Sequence, residues 1–76
     1  MANGSKIRVL IADDHAILRA GLRMLIDSQP DMKVIAEAPN GEDAVRLASA
    51  ERPDVVILDI TMPGGGGLRA VPEILK

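Results

Sequence analysis

The chain of 76 residues has no cysteine and no phenylalanine, tyrosine or tryptophan. Without cysteine there is no disulfide and no thiolate metal site, and the absence fits an intracellular home. Without aromatic rings, any core must be assembled from Leu, Ile, Val, Met and Ala. Imidazoles are almost missing too: His15 stands alone, near a predicted helix start, and reads as an exposed or supporting residue rather than a ligand. No apolar run approaches the ~20 residues that a membrane span needs. The N-terminal MANGSK lacks the apolar stretch of a secretory signal. Residues 1–5 read as a disordered leader and the chain as cytoplasmic. Excess positive charge is also lacking. Nine scattered Lys and Arg face eleven Asp and Glu, a net charge of −2. That balance argues against a nucleic-acid surface in this chain, because phosphate contacts need clustered basic residues.

What the chain does have is apolar residues, 47% of the total, in alternating short and amphipathic runs. A chain of this length buries only about 60% of its unfolded surface. It is one small domain or part of one. The run IRVLIA, Ile7 to Ala12, is almost continuously apolar, as a strand buried on both faces should be. Then Ala16, Ile17, Leu18, Leu22, Leu25 and Ile26 recur at helical spacing, with Asp14 placed to cap the helix and Pro30 beyond its end. Gly21 inside this helix suggests close packing against a sheet. MKVIAEA, Met32 to Ala38, is a second strand whose mixed polarity suggests a sheet edge. A Pro-Asn-Gly turn leads to a helix over roughly residues 42–50, burying Ala44, Val45, Leu47 and Ala48. Val55 to Leu58 form a third and most buried-looking strand, and residues 68–76 read as the start of a third helix that Pro72 delays or kinks. The order β-α-β-α-β-α, with right-handed crossovers, predicts a parallel sheet with helices on both faces.

Sites in such sheets lie at the carboxyl ends of the strands. Asp13, Asp14 and Asp59 all fall there. Three converging carboxylates repel one another unless a cation sits among them. A hard divalent ion such as Mg²⁺ suits carboxylates supplemented by carbonyl and water oxygens. With charge on an incoming phosphoryl group neutralised, Asp59 becomes a candidate nucleophile, and Thr61 could supply a backbone carbonyl to the ion. Each residue alone has a plainer reading. Asp14 can be a helix cap, Asp13 a solvated strand end, and Asp59 the opening of a turn. The conjunction of an adjacent pair after the first strand and one Asp after the third favours the site. The four glycines at 64–67 allow a weak match to G-x-G-x-x-A over residues 65–70. That fingerprint should follow its strand directly, and residues 60–64 intervene. A loop that rearranges around a modified Asp59 accounts for the glycines as well.

The tracts IRVLIADDHAILRAGLRMLI and PDVVILDITMPGGGGL strongly resemble the receiver domain of bacterial response regulators. ADDHAILRAGL resembles the NarL/FixJ, or LuxR-type, branch in particular. The resemblance runs from Ile7 to Lys76. It implies a flavodoxin-like (CheY-like) doubly wound sheet, here in part, with strand order 2-1-3. It implies that Asp59 is the phosphoacceptor and that a sensor histidine kinase is the phosphodonor. It implies Mg²⁺ held by Asp14, Asp59 and the Thr61 carbonyl, with Asp13 acting through water. The chain would be a self-modifying receiver rather than a turnover enzyme, and any DNA contact would be made by a separate helix-turn-helix domain. Residues 6–76 correspond to the N-terminal half of such a domain. The family's fourth-strand Ser/Thr and fifth-strand Lys have no counterpart here, and the third strand is expected as an open edge that draws the chain into homo-oligomers. Two rival readings stay open: a self-associating structural fragment, and an aspartyl-phosphate phosphatase, for which DIT is a poor match.

Overall fold

The computed structural model describes residues 6–59. Strand β1 (Ile7–Ala12), helix α1 (Ala16–Asp27), strand β2 (Met32–Ala38), helix α2 (Gly41–Glu51) and strand β3 (Val55–Leu58) follow in order. The strands form one parallel sheet in the order β2-β1-β3. The expected leader, glycine loop and third helix lie outside the described residues.

β1 is central, and its last four residues, Val9 to Ala12, are fully buried. Alternate residues serve opposite faces, as strand geometry demands. Val9 and Ile11 pack with Val34 and with Ile26 of α1. Ala12 packs with Ala38 and with Ala44 of α2. The two helices therefore cover opposite faces. The buried residues at the second contact are alanines, with the half-buried Leu47 and Leu58 packed against them.

The pairing of β1 with β2 slips by one residue. Val9 stands opposite Val34, but Leu10 stands opposite Ala36, so Ile35 is passed over. A one-residue slip exchanges the faces of everything beyond it. Val34 is on the α1 face, and after the slip Glu37 is on that face while Ala38 turns to α2.

α2 begins at Asn40, whose side chain accepts a 2.8 Å hydrogen bond from the Asp43 backbone N–H. Glu42 and Asp43 complement the positive end of the helix dipole. It ends at Arg52, in the left-handed region at φ 50°. α1 starts differently from the expectation. His15, not Asp14, occupies the cap position, and no side chain caps the helix. Asp13 instead fixes the entry to the helix, its carboxylate accepting from the His15 backbone N–H at 2.7 Å. The far end of α1 is tied to β2 by Asp27, which accepts from the Val34 N–H at 2.8 Å.

Three further expectations need correction. Gly21 is exposed, and a Cβ built there would meet nothing within 4 Å, so it makes no close approach to the sheet. The apolar stripe of α1 is only partly covered: Ile26 is buried, but Ile17, Leu18 and Leu25 are exposed. β3 is not the most buried strand. Val55 is 42% exposed and the rest of β3 is half-buried, because among the described residues it has a neighbour on one side only.

Candidate functional site

The parallel ladder carries two carboxylates to one edge. The Asp13 N–H donates to Ala38 O at 3.0 Å, and the Asp59 N–H donates to Ala12 O at 2.9 Å. Each Asp is thus pinned one residue beyond its strand, and the strands place them side by side. Asp14 follows in the turn to α1. One oxygen from each of Asp13, Asp14 and Asp59 and one ring nitrogen of His15 lie within 4.8 Å of one another.

Burial grades the members. The Asp13 carboxylate is 7% exposed, Asp59 17%, Asp14 29%, and the His15 ring 65%. A buried carboxylate needs hydrogen bonds to offset the loss of water. Asp13 has them from the His15 backbone and from His15 Nδ1, at 2.7 and 2.9 Å. The same Nδ1 lies 3.0 Å from Asp14 Oδ1 and 3.9 Å from Asp59 Oδ2. The hydrogen bond to Asp13, and then the charge of Asp14, raise the His15 pKa above its ordinary 6.5. His15, read from sequence as exposed or supporting, is exposed and bonded to the carboxylates.

Behind the cluster is a brace that sequence reasoning missed. Arg19 Nη1 donates to the Asp13 carbonyl at 2.6 Å, and its Nε donates to Glu37 at 3.2 Å. Arg23 Nη1 holds the other Glu37 oxygen at 2.7 Å. The hydrogen bond from Arg23 is the main cause of a depressed Glu37 pKa. Arg19 and Arg23 stand four residues apart and so share a helix face, which the sequence displays. Their partner was hidden by the register slip that brings Glu37 to that face.

Beside the cluster is a cavity of about 330 Å³ with Asp13, His15 and Asp59 in its lining and walls of Leu18, Leu22 and Ile57. Chemically, the arrangement can bind a cation. Asp13, Asp14 and Asp59 supply hard oxygen donors close enough together to share one ion. Thr61 lies outside the described residues, so the structure brings together three of the four predicted site residues.

The profile of the family described as response regulator receiver domain matches residues 9–76. The chain is 40% identical over 74 residues to the nitrate/nitrite response regulator protein NarL of Escherichia coli K12, covering 97% of this chain and 34% of that protein. It therefore spans about a third of the length of that relative. Among solved structures, it is similar to the response regulator domain of Thermotoga maritima CheB, with TM-score 0.88 and 47% identity over 92% of this chain and 52% of that one. It is also similar to a chain in the complex of the P1 domain of CheA3 with CheY6 from R. sphaeroides. There the TM-score is 0.71 and the identity 41%, over 87% of this chain and 54% of that one.

Proposed function

This chain belongs to the response regulator receiver domain family, with the parallel β2-β1-β3 core of a CheY-like fold, and from that premise we propose that Asp59 is the phosphoacceptor of a two-component signalling protein. The donor in this reading is the phosphohistidine of a sensor histidine kinase. Its P–N bond breaks, a P–O bond forms on a carboxylate oxygen of Asp59, and the imidazole leaves with a proton. Likeness to a chain in the complex of the P1 domain of CheA3 with CheY6 supports a protein phosphodonor as the partner. Asp14, Asp59 and the Thr61 carbonyl are the proposed direct ligands of Mg²⁺, with Asp13 acting through water. When bound, the ion neutralises charge on the phosphoryl oxygens. Asp13 and Asp14 draw it to the strand ends, and the Arg19 brace keeps the Asp13 backbone in place.

The observation that carries this reading is the convergence of Asp13, Asp14 and Asp59 within 4.8 Å at the carboxyl ends of β1 and β3. The chain modifies itself and releases no product repeatedly. We read residues 6–76 as the N-terminal portion of a cytoplasmic receiver that controls transcription through a separate DNA-binding domain, with no nucleic-acid or membrane contact of its own. Among the described residues, no helix is long and apolar enough to cross a membrane.

Incubation with acetyl phosphate and Mg²⁺, followed by intact mass measurement, tests the reading. Gain of one phosphoryl group by the wild type and none by Asp59→Ala is the expected result. Equal masses before and after incubation would refute Asp59 as the acceptor in this chain. A second reading comes from β3, whose Val55 is exposed and which pairs only with β1 among the described residues. Such an apolar edge recruits strands, so we propose that copies of the chain associate through it. Sedimentation should then show an oligomer unaffected by Mg²⁺ or by Asp59→Asn, and a monomer at all concentrations would exclude it.

A further inference from the structure

We propose that the outward face of α1 is an interface for a second copy of this chain, two α1 helices crossing antiparallel with Gly21 on the two-fold axis. This surface differs from the β3 edge, and it does not rest on the reading of Asp59. Ile17, Leu18, Gly21, Met24 and Leu25 are all exposed among the described residues, Ile17 to 90% and Met24 to 75%. At 3.6 residues per turn the five fall within an arc of about 120° centred on Gly21. The outward face of a surface helix is normally polar. α1 has only three charged residues, Arg19, Arg23 and Asp27, and all are engaged on the β2 side. Arg19 and Arg23 hold Glu37, and Asp27 accepts from the Val34 N–H. A partner on the outward face would therefore bury apolar surface with no charge to strip of water.

The order of these residues selects a copy of the same chain over any other partner. They form a palindrome about Gly21. Leu18 and Met24 lie three residues to either side of it, and Ile17 and Leu25 four. In an antiparallel two-fold pair, each residue stands level with the one equally far beyond the axis on the other copy. Ile17 then meets Leu25 of the second copy, Leu18 meets Met24, and Gly21 meets Gly21. Apolar surface meets apolar surface at every level, and the helix dipoles run in opposite directions. The glycine at the axis has no other account. It weakens a helix, and a Cβ built on it meets nothing within 4 Å, so packing within one copy does not require it. Where two helices cross, the missing side chain lets their backbones approach.

Sedimentation equilibrium of the 76-residue chain over a range of concentrations tests the interface. Reversible dimers are expected. Gly21→Glu should raise their dissociation constant at least about tenfold, because like charges then face each other at the axis. The substitution does not act by unfolding α1, since Glu is the better helix former and the site is open. Val55→Glu, which tests the β3 edge, should leave the dimer intact. The chain has no cysteine, so introduced thiols report the geometry. Ile17→Cys mixed with Leu25→Cys should form a disulfide-linked heterodimer. Ile17→Cys by itself should not, its two thiols standing about 12 Å apart along the helices. A monomer at all concentrations would overturn the proposal, and so would a dimer that Val55→Glu dissociates and Gly21→Glu does not. Equal cross-linking of Ile17→Cys by itself and in the mixture would overturn the antiparallel arrangement. A concentration-independent loss of stability in Gly21→Glu, with no change in mass, would assign the face to the chain's own remaining residues and overturn the second copy.

Discussion

Arg19 and Arg23 both hold Glu37, yet their removal should have very different consequences. Arg19→Met keeps the aliphatic stem and deletes the guanidinium. The Arg19 side chain is 18% exposed, and its guanidinium makes the 2.6 Å bond to the Asp13 carbonyl and the 3.2 Å bond to Glu37. Bonds to a charged partner are worth about 1.5–3 kcal/mol each in shielded positions. Glu37 keeps Arg23, so most of the loss falls on the Asp13 carbonyl, and the expected cost is about 2 kcal/mol. For a domain of this size that corresponds to a fall in Tm of roughly 8–16 °C. Arg23→Met removes a side chain that is 52% exposed, so solvent screening should make its loss much cheaper than that of Arg19. The chain has no aromatic residue for fluorescence, so thermal and urea unfolding would be followed by far-UV circular dichroism. Equal costs for the two variants, or a larger cost for Arg23→Met, would refute the claim that Arg19 braces the β1–α1 turn.

Two further outcomes follow from local structure. Gly21→Ala should stabilise the chain by up to about 1 kcal/mol, because Ala is the better helix former and the added Cβ meets nothing; a loss of stability in urea unfolding would show that α1 is packed at this position. Glu37 has a pKa held below its ordinary 4.5, chiefly by Arg23, so its pairing stabilises the fold above pH 4.5 and that contribution is lost as pH falls through the depressed value. Wild-type stability should therefore drop toward that of Glu37→Gln in acid, and a constant difference between the two from pH 7 down into the acid transition would contradict the linkage.

Much of the architecture was legible because its signals are local. The continuous run Ile7 to Ala12 announced a strand buried on both faces, and the mixed polarity of Met32 to Ala38 announced an edge. The carboxylates were legible for a related reason. In a parallel sheet every strand delivers its last residue to the same side, so chain order alone brings Asp13 and Asp59 together. The errors arose where one pattern serves two environments. The apolar stripe of α1 looked buried, but Ile17, Leu18 and Leu25 are exposed among the described residues. Gly21 has no feature in sequence that separates close packing from open solvent.

By itself the sequence determined the strands, the helices, their order and the gathering of acids at one sheet edge, since each depends on periodicity and on chain direction. Only the tertiary structure decided what surrounds those acids. The passage over Ile35 turns Glu37 toward α1, and no pattern in MKVIAEA marks that slip. With Glu37 on that face, Arg19 is held over the Asp13 carbonyl. Asp13 in turn folds its carboxylate back onto the His15 backbone, so that Nδ1 of the single histidine faces all three aspartates. These contacts depend on angles and register accumulated across separate elements, which spacing along one chain does not encode.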